Sequence, residues 1–186
     1  MHHKVLFKWL PLAFLTTVLA GLSYVAVQQS YRQSANDPQI QMSEDISAAL
    51  ANGATVQSFI PMAKVDMATS LAPFVIIFND TGMPVASSGV LDGQAPVPPP
   101  GVLAYAREHG QNRLTWQPKP TVRSAIVVTR YSNGYVLAGR SLREVERRVG
   151  QLTFRVFLAW VIGVVGTFLL VAFREKVFGA PIQRIE

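Results

Sequence analysis

Two apolar runs that carry no charge, residues 9–27 and 156–173, restrict this chain more than any other feature of its 186 residues. Each is roughly 18–20 residues long, which at a rise of about 1.5 Å per residue covers a hydrocarbon core about 30 Å thick. A surface helix of a soluble protein needs a polar face to offer water, and neither run has one. Within lipid a helix satisfies its own backbone N–H and C=O groups, so both runs read as membrane spans. Trp9 and Tyr24 stand near the two ends of the first, where amphipathic rings favour the interface. That run has a second reading as a signal peptide, with Lys4 and Lys8 as the basic start and Val18-Leu19-Ala20 as the cleavage site. Apolar sequence continues through Val25-Ala26-Val27, past where such a segment should stop, so an uncleaved anchor fits better.

Charge placement then orients the chain. Lys4 and Lys8 precede the first span, and Arg174, Lys176 and Arg184 follow the second, which puts both termini in the cytoplasm by the positive-inside tendency. Arg140, Arg143, Arg147, Arg148 and Arg155 crowd the other end of the second span and argue the opposite way. The segment between the spans is roughly 120 residues, longer than the loops to which that tendency applies, and the first helix usually dominates. Arg155, at the edge of the apolar run and inside the expected span, snorkels to the interface on either side. The expected layout is a bacterial inner-membrane protein with a tail at 1–8, spans at 9–28 and 153–173, an extracytoplasmic domain at 29–152, and a second tail at 174–186. A net charge of +6 raises nucleic acid as a partner, but the basic residues form no stripe, which argues against it. The absence of cysteine removes disulfides, thiolate catalysis and sulfur metal sites.

The middle segment alternates between helical and extended patterns. Asn36-Asp37-Pro38 starts a helix, with Asp37 capping and Pro38 in the first turn. Ile40, Met42, Ile46, Ala49 and Leu50 form its imperfect apolar side, and Asn52-Gly53 ends it. Phe74-Val75-Ile76-Ile77-Phe78 is a continuous β-rich run that implies burial on both faces. Asn79-Asp80-Thr81-Gly82 turns the chain into Pro84-Val85-Ala86-Ser87-Ser88, where proline restricts the strand to a sheet edge. A proline-rich stretch at 95–101, a short helix at 102–108 stopped by Gly110, and strands at 113–117, 122–131 and 135–140 follow, the last two joined by Ser132-Asn133-Gly134. From Ser141 the period is helical and runs unbroken into the second span. The fold class expected is α+β: two transmembrane helices flanking an antiparallel sheet with helices at its ends.

A helix out of the membrane, Phe-Val-Ile-Ile-Phe-Asn-Asp-Thr-Gly as a first hairpin, three further strands and a helix back in resemble the PAS-like, Cache-type extracytoplasmic sensor domains of bacterial sensor histidine kinases and chemoreceptors. Ala180-Pro181-Ile182-Gln183-Arg184-Ile185-Glu186 is similar to the opening of a HAMP linker. The resemblance implies a PAS-like domain that detects an extracytoplasmic signal, a homodimer, and a cytoplasmic signalling partner or continuation. It transfers no binding residues, because no residue signature of a ligand class is visible. A His-Glu phosphoacceptor motif and a Gly-rich ATP-binding segment are missing, so the expectation is a truncated sensor or one whose output lies on another chain.

Leu142, Val145, Val149, Leu152, Val156, Ala159, Gly163, Gly166, Leu170 and Phe173 alternate by three and four, a heptad seam that starts in the polar helix and continues across the membrane. Arg143, Glu144, Glu146, Arg147 and Arg148 stay off the seam, and Glu144 can pair with Arg148. Ala159, Gly163 and Gly166 permit close helix approach. One reading is a homodimer whose paired second helices carry a shift; the other is that the polar half packs on its own domain.

Chemistry is sparse. His2, His3 and His109 have no acidic neighbours at ligand spacing, so no metal is expected. Ser87-Ser88-Gly89 lacks a hydrolase context, and Asp80 and Asp92 read as turn residues. Arg123 and Arg130 frame one strand, with Trp116 and Tyr131 near in sequence; arginine with aromatic walls would suit a small carboxylate. Seven residues apart, the two arginines point to opposite faces of a regular strand, and facing solvent or pairing with Glu108 or Asp92 is the plainer role. No cofactor and no catalytic set are expected. The function expected is a sensor or receptor subunit with a small-molecule or protein ligand; the alternative is a structural accessory subunit of a membrane complex.

Overall fold

In the computed structural model the described residues are 2–34 and 37–178; Asn36, Arg184 and the HAMP-like segment 180–186 lie outside them. In chain order the elements are helices α1 (His2–Ser34) and α2 (Asp37–Ala51), a 3-10 turn (Val56–Phe59), strands β1 (Val65–Asp66), β2 (Phe74–Asn79), β3 (Pro84–Ser87) and β4 (Gly89–Val90), helix α3 (Pro100–His109), strands β5 (Gln111–Lys119), β6 (Val122–Tyr131) and β7 (Gly134–Ser141), and helix α4 (Arg143–Phe178). They form two compact units: Tyr31–Arg147, and the helical segments that precede and follow it.

The Tyr31–Arg147 unit is an α+β domain built on a five-stranded antiparallel sheet of order β3-β2-β7-β6-β5. β2 pairs with β7 from Phe74↔Gly139 to Asn79↔Gly134, and β7 pairs with β6 from Ser141↔Ser124 to Gly134↔Tyr131. The first strand thus lies inside the sheet, beside the last. This explains why its Phe-Val-Ile-Ile-Phe run is apolar without alternation: α2 covers one face of the sheet and α3 the other. Phe74, Ile76 and Phe78 point with Ile126, Val128 and Leu137 toward Val102, Leu103 and Ala106 of α3. Val75, Ile77 and Val136 point toward Ile46 and Leu50 of α2, with Val56 and Phe59 packed at the margin. Ile76 and Ile77 are both fully buried, each side chain contributing about 1.5–3 kcal/mol of burial free energy.

β3 is the edge strand that Pro84 requires. It ends because Ser88 turns inward: its Oγ accepts the Val75 N–H at 2.8 Å, and its own N–H donates to the Val75 carbonyl at 2.8 Å. The chain then steps out of the sheet into β4, which pairs in parallel with β1. Sequence periodicity gives no sign of this two-residue ladder or of the 3-10 turn, since neither is long enough to show a period. α3 starts two residues earlier than expected, with Pro100 in its first turn, and β5 begins directly after Gly110, which closes the helix at φ 81°.

The second unit consists of the apolar parts of α1 and α4. Each is long and apolar enough to cross a membrane. Leu6, Phe7, Leu10, Phe14, Leu19 and Leu22 on α1, and Phe154, Phe157, Leu158, Ile162, Leu169 and Phe173 on α4, are exposed, as a lipid-facing surface requires. Two such spans leave the intervening domain on one side of the membrane.

Candidate functional site

One cleft of the domain gathers polar side chains around an apolar floor. It measures about 260 Å³ and is lined by Asp80, Thr81 and Gly82 of the β2–β3 turn, Val97, Pro98 and Pro100 of the proline-rich stretch, Leu103, Ala104 and Arg107 of α3, and Tyr135 of β7. Its geometry follows from local sequence. Gly82, at φ 83°, lets the turn close on α3: a Cβ there would stand 3.1 Å from Leu103 Cδ1. Asn79 fixes the same turn, its Oδ1 accepting the Met83 N–H at 2.8 Å and the Thr81 hydroxyl at 2.7 Å.

Arg107 is the cation of the cleft. Its Nε donates to the Tyr135 hydroxyl at 2.8 Å and its Nη2 to the Asp80 carbonyl at 2.9 Å. The hydrogen bond to Tyr135 raises the Arg107 pKa above its ordinary value, so the guanidinium is charged at every working pH. Nη1 takes no acceptor among the described residues, leaving N–H groups of a planar fork open to the cleft. Tyr135 is buried, and because it accepts from Arg107 its own O–H remains available as a donor. Two donors and an apolar wall suit a small carboxylate or another compact anion. Among the described residues no group of acidic, histidine and cysteine side chains could hold a metal ion.

The four residues considered for ligand binding do not converge. Trp116 is buried on the α3 face, and Tyr131 packs on the α2 face, where burial pushes its hydroxyl pKa up. Arg123 pairs with Glu146, and Arg130 reaches Asp80 at 3.8 Å and the Arg107 carbonyl at 3.3 Å. Both arginines are exposed, as the solvent-facing reading expects, but their acidic partners differ from those expected: Asp92 instead pairs with Lys119. Arg130 alone adjoins the cleft. Sequence reasoning did not single out Arg107 or Tyr135; the register Phe78↔Tyr135 brings them together, and no motif encodes it.

In the helical unit α1 and α4 run antiparallel and are tied by side chains. Trp9 Nε1 donates to the Val164 carbonyl at 3.1 Å and to Thr167 Oγ1 at 3.2 Å, and Trp160 Nε1 donates to Thr17 Oγ1 at 2.9 Å. Lys8 pairs with Glu175, whose side chain is only 13% exposed. A Cβ on Gly163 would lie 2.9 Å from Thr16 Cγ2, so the glycine sits against α1 of its own chain. Of the seam positions, Leu142, Val145, Val149, Leu152, Val156, Gly163 and Gly166 are half-covered within a single chain, while Ala159, Leu170 and Phe173 are exposed. Glu144 pairs with Arg147 at 3.4 Å.

No protein-family model, no curated protein and no solved structure matches this chain.

Proposed function

We propose that this chain is the sensory part of a membrane-bound receptor, in which a PAS-like, Cache-type domain outside the cytoplasm reads a small anionic ligand and α4 passes the result across the membrane. The observation that carries the reading is the Arg107–Tyr135 cleft, set in a domain that two apolar helices bracket in sequence. A sheet with the first strand next to the last, and with helices on both faces, agrees with a PAS-like domain. The HAMP-like residues 180–186 support an output in the cytoplasm, as a histidine kinase or chemoreceptor would have, and basic residues at both outer flanks support termini on that side. A homodimer of such subunits is part of the proposal. The chain itself is read as carrying no catalytic step.

The test uses the full chain in lipid nanodiscs. Small mono- and dicarboxylates are screened by thermal shift against wild type and Arg107→Ala. A carboxylate that stabilises the wild type and not the variant supports the reading; no shift from any anion in the panel overturns it. Orientation is read separately with Met62→Cys, since Met62 is fully exposed and the chain has no cysteine. Labelling by a membrane-impermeant thiol reagent in intact cells is expected.

A further inference from the structure

The face that α2 lays on the sheet repeats itself every four residues. One row along the helix is polar, Gln39, Ser43 and Ser47, all three buried, at 1%, 0% and 5% exposure. The adjacent row is apolar, Met42, Ile46 and Leu50, packed against Val75, Ile77 and Val136. Both are i, i+4 ridges, so they run parallel. Only the middle residue of the polar row is satisfied. Gln111 Nε2 donates to Thr129 Oγ1 at 3.0 Å, Thr129 Oγ1 lies 2.9 Å from Ser43 Oγ, and Ser43 Oγ donates to the Ile40 carbonyl at 3.0 Å. Gln39 Oε1 and Ser47 Oγ, one turn to either side, are buried with no hydrogen-bond partner among the described residues.

A helix that leaves two buried polar atoms unpaired next to the one it pairs incurs a desolvation cost that apolar residues at those positions would avoid. The pattern has a use if the helix has a second seat. A slide of one turn, four residues or about 6 Å, moves each row onto itself. Ser47 then takes the place of Ser43 and presents a hydroxyl to Thr129, with the Glu44 carbonyl behind it as Ile40 is now. Ile46 takes the place of Met42 and Leu50 that of Ile46. The present place of Leu50 receives no helical residue, because α2 ends at Ala51, so the second seat is the less occupied one. On the sheet side, the strand under the polar row offers Ala125, Val127 and Thr129, residues with short side chains.

We infer that α2 has two registers on the sheet, one turn apart, in which Thr129 exchanges Ser43 for Ser47. Interfaces of this kind switch between discrete seats instead of deforming continuously. The inference concerns the packing inside the domain and stands whether or not the domain binds a ligand.

Disulfide trapping in the full chain tests it against a background free of native thiols. Ser43→Cys with Thr129→Cys reports the seat described here and should crosslink fastest. Ser47→Cys with Thr129→Cys should also crosslink, more slowly, and at least tenfold faster than Asp45→Cys with Thr129→Cys, in which Asp45 is exposed. Equal rates for the 47 and 45 pairs, or no product from the 47 pair, overturn the two-register reading. Should a buried cysteine prevent folding, the same comparison is made at the surface with a short bis-maleimide. Glu44, whose Oε1 accepts from Gln111 at 3.0 Å, marks the first seat, and Ala48 with Gln111 marks the second. Bridging of Glu44→Cys and Gln111→Cys without bridging of Ala48→Cys and Gln111→Cys would likewise overturn it.

Discussion

Arg107 Nε donates to the hydroxyl of Tyr135 at 2.8 Å, joining the last turn of α3 to the strand at the middle of the sheet. A cation near a helix C-terminus is favoured by the helix dipole. Here the same side chain also closes the β2–β3 turn through the Asp80 carbonyl, so one guanidinium ties three segments together and keeps donors in reserve. Tyr135→Phe keeps the ring in the core and removes only the acceptor. It is expected to lower Tm by a few degrees and to weaken carboxylate binding about tenfold, the effect of one charge-assisted hydrogen bond. Arg107→Ala should abolish binding. Thermal shift on both variants reads the two effects; a Tyr135→Phe variant that binds as wild type would show that the hydroxyl does not hold the guanidinium in place.

The pairing of β2 with β7 depends on two glycines for space. A Cβ at Gly134 would stand 2.0 Å from the Phe78 carbonyl oxygen, and one at Gly139 would stand 2.4 Å from Phe74 Cζ. Backbone cannot yield as a ring can. Gly134→Ala should therefore cost more than about 3 kcal/mol and Gly139→Ala about 1–3 kcal/mol, measured by denaturant unfolding followed by the sheet's circular dichroism. The reverse order would contradict the register Asn79↔Gly134.

Gly163 facing Thr16 within one chain predicts an intramolecular disulfide for Thr16→Cys with Gly163→Cys. On a non-reducing gel it should migrate at the monomer position. A product found only at the dimer position would mean that Gly163 serves the interface between subunits instead.

Tyr131 gives the domain an alkaline limit. Burial raises its pKa above the ordinary value of 10.0, so the folded domain favours the neutral phenol more than the unfolded chain does. That stability is fully present below pH 10.0 and is lost as pH rises through the folded value. Tyr131→Phe should flatten the fall in Tm over this range, and an unchanged alkaline profile would count against the assignment.

How much of this was legible beforehand varies with length scale. The β2 run was readable as doubly covered because five consecutive apolar residues leave no face for water, and Pro84 marked β3 as an edge because it lacks an N–H. The α2 side of the domain was half legible. Met42, Ile46 and Leu50 followed from apolar periodicity, but Gln39, Ser43 and Ser47 did not, since polar residues are buried only where a partner strand supplies Thr129 or where the fit leaves them enclosed. The seam on α4 was readable as a stripe, but a stripe does not name its partner.

The two charge-free runs are therefore the part that sequence alone determined. Twenty or so apolar residues leave a helix no aqueous alternative, and no tertiary contact is needed to know it. What faces what was decided only by the folded chain: that Gly163 meets Thr16, that Arg123 pairs with Glu146 while Arg130 reaches Asp80, and that Arg107 finds Tyr135. Those pairings join residues far apart in sequence, through strand register and helix contact. Local periodicity carries no information about either.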